Sequence, residues 1–131
     1  MHRALQVIAA KPWVVAVDKP AGLPAVPGRT EALADCVWTR LLSVHPDALV
    51  VHRLDMATSG VMVFAIGAAA QRALSMAFER RQINKRYVAD VHGLVAQDEG
   101  QMTWPLIADW PNRPRQHVDF VLGKPSTTLF R

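Results

Sequence analysis

A chain of 131 residues, half of them hydrophobic, holds enough material for one ordinary domain. Fifteen Lys and Arg against eleven Asp and Glu leave a formal charge of +4, which suits a polyanionic partner without demanding one. The single cysteine, Cys36, excludes an internal disulfide framework and a Cys-rich zinc site, and the five histidines lack metal-ligand spacing. The apolar run 4–10, broken by Gln6 and closed by Lys11-Pro12, is too short to span a membrane and weak as a signal peptide. A reducing, cytoplasmic setting with no metal is the expectation.

In chain order, Trp13-Val14-Val15-Ala16-Val17 reads as a compact apolar strand. It runs into Asp18-Lys19-Pro20-Ala21-Gly22-Leu23-Pro24-Ala25-Val26-Pro27-Gly28-Arg29, where three prolines and two glycines forbid a helix and predict an extended, stiffened loop with charged ends. From Thr30 to about Val44 the spacing predicts a helix. Leu33, Val37 and Leu41 share one face, Glu31, Asp35 and Arg40 point away, Thr30 serves as the N-cap, and Cys36 and Trp38 pack. His45-Pro46-Asp47 ends it.

Two short β-branched runs follow, Ala48-Leu49-Val50-Val51 and Val61-Met62-Val63-Phe64-Ala65, which read as buried strands. Between them lies His52-Arg53-Leu54-Asp55-Met56-Ala57-Thr58-Ser59-Gly60. Polar connections held by rigid strands are where chemistry collects. Asp55 is the candidate nucleophile or base, Arg53 an anion contact and Gly60 a tight backbone position. On composition alone, a turn-capping Asp is the commoner role.

Ala68-Ala69-Ala70 opens a second helix with Leu74, Ala77 and Phe78 as its buried stripe, finishing in the basic tail Arg80-Arg81-Gln82-Ile83-Asn84-Lys85-Arg86. Alternation over residues 85–93 predicts a strand that puts Lys85, Tyr87, Ala89 and Val91 on one face. After a turn at Asp98-Glu99-Gly100, residues 102–107 and 117–121 predict a second hairpin. The loop between them, rich in proline and carrying Trp110, Arg113 and Arg115, suits stacking on exposed bases and pairing with phosphates. Residues 126–130 read as a last strand.

His-Arg-Leu-Asp followed by Thr-Ser-Gly resembles the signature of the RluA family of pseudouridine synthases, and three other segments agree with it. They are Asp-Lys-Pro-Ala-Gly-Leu with its later Pro-Gly, Lys85-x-Tyr87-x-Ala89-x-Val91-x-Gly93, and the Pro-Leu, Asp, Arg-Pro and Gly-Lys-Pro-x-x-Thr wording of residues 105–127. The Trp-Pro-Asn-Arg-Pro version is similar to members that modify a tRNA anticodon stem-loop and 23S ribosomal RNA. The resemblance implies an α+β fold, a mixed and largely antiparallel sheet flanked by helices. It implies Asp55 as the essential catalytic residue and Tyr87 as a second one, stacked against the target uracil and able to assist deprotonation at the carbon that forms the new bond. Arg53, His52, Thr58, Arg29, Lys85, Arg86, Arg113 and Arg115 would be RNA contacts, with base flipping and no cofactor.

The family continues through a Gly-Arg-x-His-Gln-Leu-Arg segment that supplies a basic partner for the aspartate, and nothing here matches it. Residues 1–131 are therefore expected to be the N-terminal part of one catalytic domain, with no separate second domain, in a bacterial protein that is monomeric when complete. The alternative from another class is an inactive RNA-binding fragment that lacks the second basic residue. A hydrolase built on Asp55 with His52 or His92 finds no nucleophile motif or orienting group to support it.

Overall fold

The structure, a computed structural model, describes residues 4–131 and divides into two compact units after Arg86. In the first unit, strands β1 (Gln6–Lys11), β2 (Val14–Lys19), β3 (Ala48–Val50) and β4 (Gly60–Ile66) form one sheet in the order β1-β2-β4-β3, each neighbouring pair antiparallel. Helix α1 (Val37–Leu42) packs on β3, and α2 (Ala68–Glu79) on β4 and β3. This is the α+β architecture expected from the sequence.

The period-two alternation of β2 decides what is inside. Val15, Val17 and Lys19 share the buried face, while Asp18 is exposed. From β4, Met62 and Phe64 meet them, and Val37 and Leu41 of α1 close the core. Leu54, from the connection between β3 and β4, and Ala25, from the loop after β2, also enter this core. Burying a Leu side chain contributes roughly 1.5–3 kcal/mol, so Leu54 fixes its otherwise polar loop to the sheet, and Ala25 adds a smaller contact from the loop after β2.

Several expectations change on contact with the structure. The run 4–10 contributes strand β1, paired to β2 from Gln6↔Asp18 to Lys11↔Val14 with an irregularity between Val7 and Ala9. The long helix of residues 30–44 is a 3-10 turn, Glu31–Leu33, followed by the six-residue α1. Its break is Cys36, whose extended backbone (φ −151°, ψ 171°) cannot be helical and makes it the N-cap of α1. The Cys36 Sγ accepts the Thr39 N–H at 3.4 Å while the Cys36 N–H donates to Thr39 Oγ1 at 3.1 Å, a reciprocal capping pair. Thr30 makes no side-chain cap bond, and Asp35 pairs with Arg40 at 2.6 Å. On α2, Leu74, Ala77 and Phe78 form the inward stripe but stay half-buried.

In the second unit, β5 (Gly100–Met102) pairs with β8 (Thr128–Phe130), and β6 (Leu106–Ala108) with β7 (Gln116–Val118). The predicted hairpin is thus present but shorter. Asp119 Oδ1 accepts the N–H groups of Val121 and Leu122 at 2.8 and 2.9 Å, which turns the chain away from the ladder at Phe120. Those two bonds hold the Asp119 carboxyl below its ordinary pKa. Residues 85–93 form no strand. β-branched alternation becomes a strand only when a neighbour offers its backbone, and among the described residues no strand pairs with this stretch.

Candidate active site

The register of β2 and β4 builds the site. Lys19, at the end of β2, is the partner of Gly60, at the start of β4. The loop leaving β2 and the loop entering β4 therefore emerge side by side at one end of the sheet. Gly60 has φ +125°, a backbone conformation that glycine adopts without strain, and this sends the chain into the ladder from an irregular approach.

Lys19 joins the two loops. Its position in the row of Val15 and Val17 points the side chain into the core, where an ammonium group needs acceptors. It donates to the carbonyl oxygens of Thr58 at 2.7 Å, Pro20 at 2.9 Å and Met56 at 3.0 Å, so all three of its protons are used. The Gly22 N–H adds a 2.7 Å bond to the same Met56 carbonyl. Burial pulls the Lys19 pKa below its ordinary value, and the negative charge of Asp55 partly opposes that. The sequence reading placed Lys19 only among the charged loop ends. The signal that could have found it was the alternation Val15, Val17, Lys19.

Asp55 leaves this braced loop outward. Residues 53–55 alternate: Arg53 and Asp55 are exposed and Leu54, between them, is buried in the core. Leu54 is thus the pin that holds the two charged neighbours on the solvent side. The Asp55 main-chain carbonyl accepts the Thr58 N–H at 3.0 Å and closes the turn. Among the described residues the Asp55 carboxylate accepts no hydrogen bond and joins no ion pair, which leaves its oxygens for a bound molecule. The capping role that composition favoured is not the one the side chain plays.

His52 is engaged in packing. Its Nε2 accepts the Val63 N–H at 3.0 Å, and its ring stacks on Phe78 with centroids 4.6 Å apart. An accepting Nε2 carries no proton, so the imidazole is neutral. Burial, then the charge of Lys85, lower its pKa from the usual value. Only Nδ1 remains for a ligand. Thr58 is half-buried, with its carbonyl taken by Lys19, while Arg29, Lys85 and Arg86 are exposed cations of the first unit. In the second unit Tyr87 is 60% exposed, and Arg113 and Arg115 are exposed on the β6–β7 loop.

Residues 13–131 match the model of the RNA pseudouridylate synthase family, both joined loops included. The chain belongs to that family. It is 52% identical over 118 residues to the dual-specificity RNA pseudouridine synthase RluA of Vibrio parahaemolyticus, a match that covers 90% of this chain and 47% of that protein. Against the enzyme of the same description from Escherichia coli K12 it is 48% identical over 129 residues, covering 92% of this chain and 59% of the relative. The chain thus spans about half the length of the curated relatives it matches. In fold it is similar to human RNA pseudouridylate synthase domain containing 1, with a TM-score of 0.72 at 19% identity over 95% of this chain and 49% of that one. A second human structure, RNA pseudouridylate synthase domain containing 4, gives a TM-score of 0.60 at 19% identity. Among the described residues no helix is long and apolar enough to cross a membrane.

Proposed function

We propose that the protein converts uridine to pseudouridine in a structured RNA, a tRNA anticodon stem-loop, 23S ribosomal RNA or both, with Asp55 as the catalytic carboxylate. The observation that carries this reading is the exposed Asp55 carboxylate, in no hydrogen bond or ion pair among the described residues, on a loop held by the three bonds of Lys19. The RNA pseudouridine synthases of Vibrio and Escherichia, about half the length of which this chain spans at about 50% identity, support the substrate class.

The reaction breaks an N-glycosidic bond, turns the uracil and rejoins it through carbon. The product is an isomer of the substrate, so no electrons leave and no cosubstrate is consumed. What the chemistry requires is a carboxylate that either attacks covalently or removes a sugar proton. Asp55 supplies it in ionised form. The target base is unreachable inside a stem, so it is flipped out at a cost of a few kcal/mol, least in a loop.

Tyr87 is the proposed stacking partner of the uracil and assists removal of the proton from the carbon that forms the new bond, while the nitrogen released from the sugar takes up a proton. Arg53, on the same side of its segment as Asp55, is the proposed backbone contact or occupant of the vacated stack. Arg29, Lys85, Arg86 and Arg115 give the salt-sensitive grip on phosphates. The single family match, residues 13–131, runs through both units, which supports reading them as parts of one catalytic domain. The protein acts in the cytoplasm, where tRNA and ribosomes are made, and as a monomer.

The test is a pseudouridine map of total RNA from cells carrying the gene intact or with Asp55→Asn. Loss of pseudouridine at one or a few uridines in tRNA or 23S RNA is the expected result. An unchanged map overturns the assignment.

A further inference from the structure

The loop between β6 and β7 is more ordered than its composition suggests. Asp109 N–H donates to the Arg115 carbonyl at 2.9 Å, Asn112 N–H to the Asp109 carbonyl at 3.0 Å, and Arg115 N–H to the Asn112 carbonyl at 3.1 Å. The Asn112 side-chain amide holds the Asp109 carboxylate at 3.0 Å. At its tip the Arg113 guanidinium carbon lies 3.8 Å from the centroid of the Trp110 ring, and Arg113 Nε donates to the Trp110 carbonyl at 3.1 Å. The cation is thus fixed over one face of the indole, a favourable cation–π arrangement. Trp110 is still 67% exposed, so with one face covered the free area is the opposite face and edge.

We propose that this free face of Trp110 stacks an unpaired nucleobase of the RNA, with Arg113 as its rear support and Arg115 as the phosphate contact beside it. The proposal rests on the RNA reading above and adds the residue that would grip a base without taking part in the reaction. A large flat apolar surface held open to water by a braced loop is suited to a flat unsaturated ring. The neighbouring charge selects a polyanion. Asp109 is already bonded by Asn112, whereas Arg115 is exposed and, among the described residues, its guanidinium has no hydrogen bond or ion pair. Arg113, committed to the indole and to the Trp110 carbonyl, therefore acts on RNA through Trp110.

The experiment is a titration of the 131-residue chain into a labelled RNA stem-loop with an unpaired loop, repeated across salt concentrations. Trp110→Ala is expected to weaken binding about 5- to 150-fold, the range for loss of one base stack. The slope of log affinity against log salt should stay unchanged, because no phosphate contact is lost. Arg115→Gln is expected to reduce that slope by about one charge. Trp110→Phe keeps a π face and should retain most of the affinity, and circular dichroism of each variant checks that the fold is kept. Replacing loop nucleotides one at a time by abasic sites should reveal one position whose loss is not additive with Trp110→Ala. Wild-type affinity in Trp110→Ala, or equal losses in Phe and Ala, overturns the stacking proposal and leaves the RNA reading intact. No binding of any stem-loop by the wild-type chain overturns both.

Discussion

The two units put their apolar residues to different ends. Up to Arg86, a four-stranded sheet and two helices bury Val15, Val17, Met62 and Phe64 almost completely. From Tyr87 onward no residue is buried, and Val88, Leu94 and Val121 are 98, 101 and 89% exposed. Apolar content does not make a core by itself. A core needs two layers with facing apolar sides, and the second unit has only two short two-stranded ladders, each marginal alone in water. The residues that need a fixed geometry, Lys19, Leu54 and Asp55, stand on the unit that has a core.

The comparison can be broken first by mutating each side. Phe64→Ala should cost about 3–5 kcal/mol in chemical denaturation, as for other buried aromatics. Val121→Ser, in the second unit, should stay within about 0.5 kcal/mol of wild type. A comparable loss from both would show that residues 87–131 share the core. Limited proteolysis gives the same contrast as a pattern, with first cuts expected between residues 87 and 131 and the fragment ending near Arg86 persisting.

A smaller effect is expected at Lys19. Lys19→Met keeps the bulk but leaves the Pro20 and Thr58 carbonyls without their Lys19 donor, while the Met56 carbonyl keeps the Gly22 N–H, at a cost of about 1–3 kcal/mol. On the proposed function, pseudouridine formation should fall with it, although the three Lys19 protons are already bonded to carbonyls. Full activity in Lys19→Met would show that the loops hold without the lysine.

The smallest effect is at His52, and its sign follows from the neutral ring. The native pKa lies below the ordinary value near 6.5, so on acidification the unfolded chain takes up this proton first. The contribution of His52 to stability is therefore fully present above pH ~6.5 and is lost as pH falls through the lowered native pKa. Melting temperatures of wild type and His52→Gln between pH 4 and 8 should converge toward the acid end. Parallel curves would contradict the neutral assignment.

What could be read from the sequence follows the same division. Strands β2, β3 and β4 and helix α2 were legible because their apolar spacing matches the side they bury. The helix over 30–44 was overdrawn because Cys36 fits helical spacing, yet its Sγ and the Thr39 hydroxyl form a cap that only the backbone reveals. β1 escaped notice because Gln6–Lys11 is exposed throughout and carries no alternation. Residues 85–93 alternate well but find no partner. In the site, Asp55 was visible through its motif, whereas the Lys19 bonds join residues 37 and 39 positions apart, which no local pattern encodes.

The most direct test of the central claim, that Lys19 locks the two loops and keeps Asp55 presented outward, is amide hydrogen exchange of Lys19→Met against wild type. The Gly22 and Thr58 amides, which donate to the Met56 and Asp55 carbonyls, should exchange at least about tenfold faster, the equivalent of 1.4 kcal/mol, while Met62 and Phe64 keep their protection. Unchanged protection at Gly22 and Thr58 would contradict the account.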